Sequence, residues 1–379
     1  MAGYNSPRIL ITRLSHLGDC IQTVPMLNAL RDLFPTSFIA WITEPGPATL
    51  LQKHPSLDEL LICPKRDLWS PARTYYWHQR LRSYQFDIAI DPQGLTKSSM
   101  FGWLSGAPTR IGFTRPESRE LSPCLNNLLV KRSTENVVER YLELLRPLGG
   151  IKTVPRYEIS LTQQAFDWAD DYVNRLTWGA KGLVVFNAGA GWPSRMWESD
   201  RFADLAQYLA TNWNLASVSV WAGAREQRIA AQIAYSSGVT VSMAPPTSLP
   251  QLAALLKHAT LYVGTDSGPL HLAVAMGTQC VSLHGTTLAA KSGPFGKGHA
   301  AVQAYYQHGS SFRRRQAAND AMRAISVDMA CTACDYVLQE SQFTPRNTCE
   351  SRPSARADYS TKQPFQPRFR TAASQVPNG

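Results

Sequence analysis

The sequence predicts an α/β protein built from two doubly wound parallel-sheet halves. Three observations carry that prediction. Short apolar runs alternate with helical patterns, the alternation falls into two series, and each series opens on a strand followed by a glycine-containing loop. A length of 379 residues, against about 150 for a common domain, accommodates both series.

In the first series, Ile9, Leu10 and Ile11 form a buried strand. The loop from Arg13 to Asp19 follows, then a helix over 21–34 with Val24, Leu27, Leu30 and Leu33 at helical spacing. Segments 38–43, 86–90 and 109–113 read as further strands, and 135–148 as the closing helix. A first domain therefore spans 1–150. Residues 151–180 read as a linker carrying one helix, 163–176. The second series sets strands at 183–186, 218–221, 239–243, 260–263 and 280–283 within a second domain, 181–340. Helices at 201–211, 226–235, 249–257 and 269–276 separate them. Ser248 with Gln251 three residues on is a helix start of the capping-box type. The tail, 341–379, is rich in Pro, Arg, Ser and Gln without apolar periodicity, and reads as disordered.

Composition narrows the class. Apolar residues make up 44% and charged ones 17%, which excludes wholesale disorder, a collagen-like chain or a coiled coil. No apolar run approaches the ~18–20 residues of a membrane span. The N-terminus meets polar residues too early for a signal-peptide core, so the expected location is the cytoplasm. The net charge is +10. Residues 1–150 hold an excess of four positive charges, 151–290 none, 291–339 three and 340–379 three. That spread suits phosphorylated small molecules or an anionic membrane surface rather than nucleic acid, whose readers concentrate charge on one element. Arg313, Arg314 and Arg315 form the one tight cluster and read as a solvated surface loop. Seven scattered cysteines argue against a disulfide framework. Cys331 and Cys334 read as two thiols one turn apart on a late helix, because a structural zinc site wants a second pair or a nearby histidine.

Open parallel sheets bind ligands beyond the carboxyl ends of their strands, which singles out particular loops. In Ser15-His16-Leu17-Gly18-Asp19, Gly18 permits a tight turn and Asp19 stands near a helix start. A carboxylate there serves equally as a helix cap or as a general base facing the second domain. In the loop 263–271, Gly264 and Gly268 bracket Thr265, Asp266 and Ser267 just before a helix. Free N–H groups and the helix dipole make such a place an anion site, a cradle for a diphosphate. Asp266 capping its own helix is the plainer alternative. Neither the dinucleotide fingerprint nor a Walker A loop is present. The stretch 187–197 supplies glycines for close backbone approach and Arg195, which can reach a phosphate from a mobile loop. His271, one turn after Ser267, either bonds within its helix or donates to a phosphate oxygen. No D-x-D pair and no cluster with metal spacing occurs, so no metal or other cofactor is expected.

These stretches resemble the heptosyltransferases, the family-nine glycosyltransferases of lipopolysaccharide inner-core assembly. The resemblance is carried by RILITRLSHLGDCIQTVPMLNALRDLFP, DPQGLTKSSMFGWLSGAPTRIGF and TSLPQLAALLKHATLYVGTDSGPLHLAVAMGTQCVSLHGTT, and covers about residues 7–330. It implies a GT-B architecture, two Rossmann-like domains with the site in the cleft between them. It also implies an inverting transfer of heptose from ADP-heptose to a lipopolysaccharide-core-like acceptor. On that resemblance Asp19 is the base that deprotonates the acceptor hydroxyl. Asp266 holds donor sugar hydroxyls, and Thr265, Ser267, Gly268 and His271 surround the diphosphate. Arg195 stands where relatives commonly place a phosphate-binding lysine, and Thr247 and Glu226 fall near nucleoside contacts. Gly18 and Lys97 face an anionic glycolipid or polysaccharide acceptor, which implies peripheral contact with the inner membrane. Two other readings fit the same loops: a silent sugar-nucleotide-binding module, and a sugar-nucleotide epimerase.

Overall fold

The computed structural model describes residues 5–150, 154–177 and 179–341. Strands β1 (Arg8–Thr12), β2 (Phe38–Thr43), β3 (Glu59–Ile62), β4 (Ile88–Ile90), β5 (Thr109–Phe113) and β6 (Leu128–Val130) form one parallel sheet in the order β3-β2-β1-β4-β5-β6. Its helices are α1 (Leu17–Leu33), α2 (Pro45–Leu51), α3 (Pro71–Ser83), α4 (Thr96–Ser105), α5 (Ser122–Leu125) and α6 (Val137–Glu143). Helix α7 (Gln163–Leu176) precedes the second sheet. That sheet contains β7 (Gly182–Asn187), β8 (Leu215–Ser219), β9 (Val241–Met243), β10 (Leu261–Thr265), β11 (Gln279–Leu283) and β12 (Ala300–Val302). Its order is β12-β11-β10-β7-β8-β9, and every pair is parallel. Helices α8 (Ser199–Trp213), α9 (Gly223–Ser236), α10 (Leu249–His258), α11 (Gly268–Ala275) and α12 (Ala289–Ser292) lie between its strands. Helices α13 (Ser311–Gln316), α14 (Asp320–Arg323) and α15 (Val327–Glu340) follow them.

Both central strands are apolar in their middles, Ile9 to Ile11 and Leu183 to Phe186, because helices cover both faces of each sheet. In β1, Ile9 and Ile11 pack with Val24, Leu27 and Leu30 of α1, while Leu10 points the other way. There it meets Trp77 and Leu81 of α3 and Phe101 of α4. In β7, Val184 and Phe186 join the cluster of α8 and α15, and Leu183 and Val185 that of α10 and α11. One cluster runs across the two halves: Ile21 of α1 and Leu50 of α2 are buried with Leu255 and Leu270 of the second half.

The strands that sequence reading passes over are β3, β6 and β12. Each is three or four residues long and lies at a sheet edge, too short to show a period. Helix α1 begins four residues before its expected start. Gly18 and Asp19 are poor interior formers, but they fit a first turn whose N–H groups have no helical partner. Segment 218–221 shifts to β8, which starts at Leu215. Cys331 and Cys334 are free, buried thiols on α15. Residues 342–379, nearly all of the expected tail, lie outside the described residues, as do 151–153 and 178 in the expected linker. Among the described residues no helix is long and apolar enough to cross a membrane.

Candidate active site

In each sheet the strand order reverses direction beside its first strand, between β1 and β4 and between β7 and β10. Crevices for ligands open at such switch points. The loop after β1 is knitted to the loop after β4: the Arg13 guanidinium donates to the Pro92 carbonyl at 3.2 Å, and the Leu14 N–H to Gln93 Oε1 at 2.9 Å. Asp19 sits in the first turn of α1, not in the loop. Its Oδ2 accepts the His16 N–H at 3.3 Å and pairs with Arg13 at 2.8 Å. The Arg13 side chain is 5% exposed and that of Asp19 37%. Burial works against the charge on Arg13, but Asp19 and Tyr141 outweigh it and hold the guanidinium above its ordinary range. The Lys97 ammonium, in the first turn of α4, donates to Ser15 Oγ at 2.9 Å and lies 3.4 Å from Glu44.

On the second half, Asp266 does not cap α11. Its carboxylate faces Arg195 at 3.5 Å and His271 at 3.6 Å, and accepts the Ser292 hydroxyl at 3.1 Å. Burial would raise its pKa, but the His271 hydrogen bond and the Arg195 charge hold it well below the usual carboxylate range. Thr265 Oγ1 donates to the Gly189 carbonyl at 2.8 Å, and Asn187 Nδ2 to Ser267 Oγ at 2.9 Å. These bonds join the loop before α11 to the loop after β7.

The Arg195 side chain is packed. It lies in a 3-10 turn, Pro193–Arg195, with its guanidinium 3.9 Å from the centre of the Trp192 ring. Glu226, in the first turn of α9, packs so closely on Gly189 that a Cβ there would meet its carboxyl carbon at 2.3 Å. Thr247 lies two strands further out, on the loop after the edge strand β9, one residue before the Ser248 cap of α10. The structure thus gathers Arg195, Glu226, Thr265, Asp266, Ser267 and His271 and leaves Thr247 at the periphery.

The halves meet at their two site helices. A Cβ added to Gly18 would lie 2.7 Å from His271 Cδ2 and 3.4 Å from the Gly268 Cα, and one added to Gly268 would lie 3.2 Å from Leu17. The positive ends of two helix dipoles, α1 and α11, therefore converge beside the Asp19 and Asp266 carboxylates.

Several site residues escaped sequence reasoning. Arg313, Arg314 and Arg315 lie on α13 rather than in a loop, Arg313 and Arg315 exposed and Arg314 half-buried. Arg315 stands 4.7 Å from the Trp192 ring centre, and Arg314 donates to the Thr286 carbonyl at 2.7 Å. Burial lowers the pKa of Arg195, Asp266 counters, and Arg314 and Arg315 lower it further. Three guanidiniums thus gather about the Trp192 turn, and among the described residues only Arg195 of the three is paired with a carboxylate, that of Asp266, an arrangement that favours a bound anion. On the first half, Arg132 pairs with Glu117 at 3.1 Å, and Arg140 lies 3.9 Å from the same carboxylate. Lys291 of α12 feels this group across the seam: burial, then Arg140, lowers its pKa. These cations are spread over five elements, so no local pattern marks them. Ser310 as the cap of a helix bearing three arginines was the one legible signal.

Comparison with known proteins fixes the family. The profile of glycosyltransferase family 9 (heptosyltransferase) matches residues 75–322. The chain belongs to glycosyltransferase family 9. It is 26% identical over 313 residues to lipopolysaccharide heptosyltransferase 1 of Pseudomonas aeruginosa, covering 76% of this chain and 82% of that protein. It is 24% identical to lipopolysaccharide core heptosyltransferase OpsX of Haemophilus influenzae, covering 79% and 85%. Among solved structures, a family 9 glycosyltransferase from Veillonella parvula superposes with a TM-score of 0.74 at 22% identity, over 89% of this chain and 99% of that one. The Escherichia coli heptosyltransferase WaaC with ADP gives 0.69 at 21% identity, over 87% and 99%. The family 9 chain is accordingly a glycosyltransferase with the GT-B architecture, two Rossmann-like sheets facing each other.

Proposed function

We propose that this family 9 enzyme transfers a heptose from ADP-heptose to an anionic, lipopolysaccharide-core-like acceptor with inversion. The observation that carries the reading is the contact of Gly18 with His271, which sets the turn bearing Asp19 against the turn bearing Asp266. Asp19 is the general base. Arg13 and the His16 N–H both hold Oδ2, so Oδ1 takes the proton of the acceptor hydroxyl. The acceptor's hydroxyl oxygen, freed of that proton, attacks the anomeric carbon from the face opposite the diphosphate. A new glycosidic C–O bond forms, the bond to the β-phosphate oxygen breaks, and ADP departs with the electron pair. Charge growing on the diphosphate is met by the free N–H groups of α11 and by Arg195, Arg314 and Arg315. Asp266 and His271 hold donor hydroxyls, and Glu226 and Thr247 line the way to the nucleoside. The first half takes the acceptor, with Lys97, Arg132 and Arg140 toward its anionic groups, and the lipid carried by such an acceptor brings the enzyme to a membrane surface.

The test is ADP release from ADP-heptose with and without a Kdo-bearing acceptor. Transfer requires release that depends on acceptor and disappears in Asp19→Asn. Donor binding without release in the presence of acceptor identifies a silent binding module. Donor turnover without acceptor identifies an epimerase.

A further inference from the structure

The positive excess of the first half is not spread over it. Residues 65–83 contain Lys65, Arg66, Arg73, Arg80 and Arg82 against Asp67 alone, an excess of four, which leaves the rest of 1–150 balanced. This stretch is a 3-10 turn, Lys65–Trp69, running into α3. Only Trp77 and Leu81 of α3 are buried. Two tyrosines project outward from the same helix, Tyr75 at 65% exposure and Tyr76 at 44%. Trp103 of the neighbouring α4 joins them at 54%. Between the two helices lies an open depression of about 580 Å³, lined by Pro71, Thr74, Tyr75, His78, Trp103 and Leu104.

We propose that this α3–α4 face seats the enzyme on an anionic lipid bilayer. Exposed Trp and Tyr prefer the headgroup level, where one part of the ring is apolar and the other wet, and the exposed Arg66 and Arg73 on the same stretch are drawn to anionic headgroups. Arg66 and Arg73 remain free to turn outward, since they approach Asp67 only at 3.9 and 4.0 Å. The position also suits the acceptor. Helix α4 has Lys97 at its start, beside Ser15 of the site loop, and Trp103 six residues on, about 9 Å along the axis. A sugar chain whose lipid stays in the bilayer under Trp103 is therefore presented toward Asp19. The inference rests on the proposed acceptor for its purpose but not for its test.

The experiment is flotation of the full-length protein with phosphatidylcholine vesicles and with vesicles containing about one-third phosphatidylglycerol, both free of acceptor. The expected result is at least about tenfold stronger binding to the anionic vesicles. The triple variant Tyr75→Ser, Tyr76→Ser, Trp103→Ser loses about tenfold, and so does the double variant Arg66→Gln, Arg73→Gln. Both keep the wild-type melting temperature and wild-type transfer to an acceptor sugar freed of its lipid. Equal vesicle binding by wild type and both variants overturns the proposal. So does a wild-type dimer in sedimentation that the triple variant dissolves, or binding to a labelled nucleic-acid duplex as strong as to anionic vesicles. Loss of transfer with vesicle binding intact rejects the acceptor reading and leaves this surface standing.

Discussion

Gly18 abuts His271 so closely that a single methyl group on its Cα would lie 2.7 Å from the imidazole Cδ2. The glycine of one half and the histidine of the other thus set the spacing between the two site turns. His271 in turn lies 3.6 Å from Asp266, so pressure on the ring reaches the Asp266 turn directly.

Gly18→Ala is expected to force the halves apart or to displace His271. Overpacking of this kind costs about 1–3 kcal/mol, and the larger effect falls on turnover, a loss of at least about tenfold because the reacting groups lose their alignment. Denaturant unfolding beside steady-state kinetics measures both. Wild-type kinetics in Gly18→Ala would show that this contact does not govern the site.

Asp19→Asn is expected to lower turnover by about 10²–10⁴-fold while donor affinity stays within about twofold. Asn keeps an oxygen for the His16 N–H and for Arg13. Asp19→Ala removes the carboxylate facing a 5%-exposed guanidinium and adds a stability loss of about 1–2 kcal/mol, discounted for the exposure of Asp19 itself. Isothermal titration with ADP together with transfer rates separates binding from chemistry.

Arg195→Lys keeps the charge but loses both the fork and the stack on Trp192. ADP affinity should fall about 5–50-fold, that of adenosine hardly at all, and Arg314→Ala and Arg315→Ala should fall in the same direction by a smaller factor. Equal losses for ADP and adenosine would move these arginines away from the phosphates.

Acid should weaken the fold well above the carboxylate range. Burial pushes His54, His284 and His299 each down to about 4, against ~6.5 in an unfolded chain. Their folded pKa values are depressed, so the unfolded chain binds more protons. The stability they confer is present in full above pH ~6.5 and is lost as pH falls toward 4, up to ~2 kcal/mol each by pH 5. Denaturant melts at pH 7.5, 6 and 5 check the slope. His299→Asn, which retains an acceptor for the Cys280 N–H now bonded to Nδ1 at 3.1 Å, should flatten it by about a third.

The apolar runs at the centres of β1 and β7, the glycine-containing loops after them and the Ser248 cap were readable because each depends on neighbours within a few residues. The two loops to which the proposed chemistry is assigned, at Asp19 and Asp266, could be singled out for the same reason: both follow an apolar strand, and the carboxyl ends of such strands form the binding crevice of an open sheet. Glu226 was harder to place. Its closeness to Gly189 depends on β7 and β8 being neighbours, which no spacing along the chain records.

By itself the sequence determined that two parallel sheets form, that helices cover both faces of each, and which loops follow their central strands. Apolar runs and caps encode those locally. Only the tertiary structure decided that Arg13 clamps Asp19, that Gly18 meets His271, and that α13 brings Arg314 and Arg315 to the Trp192 turn. Those pairings join residues up to hundreds of positions apart, and their energies come from burial and charge that exist only once the two sheets have packed.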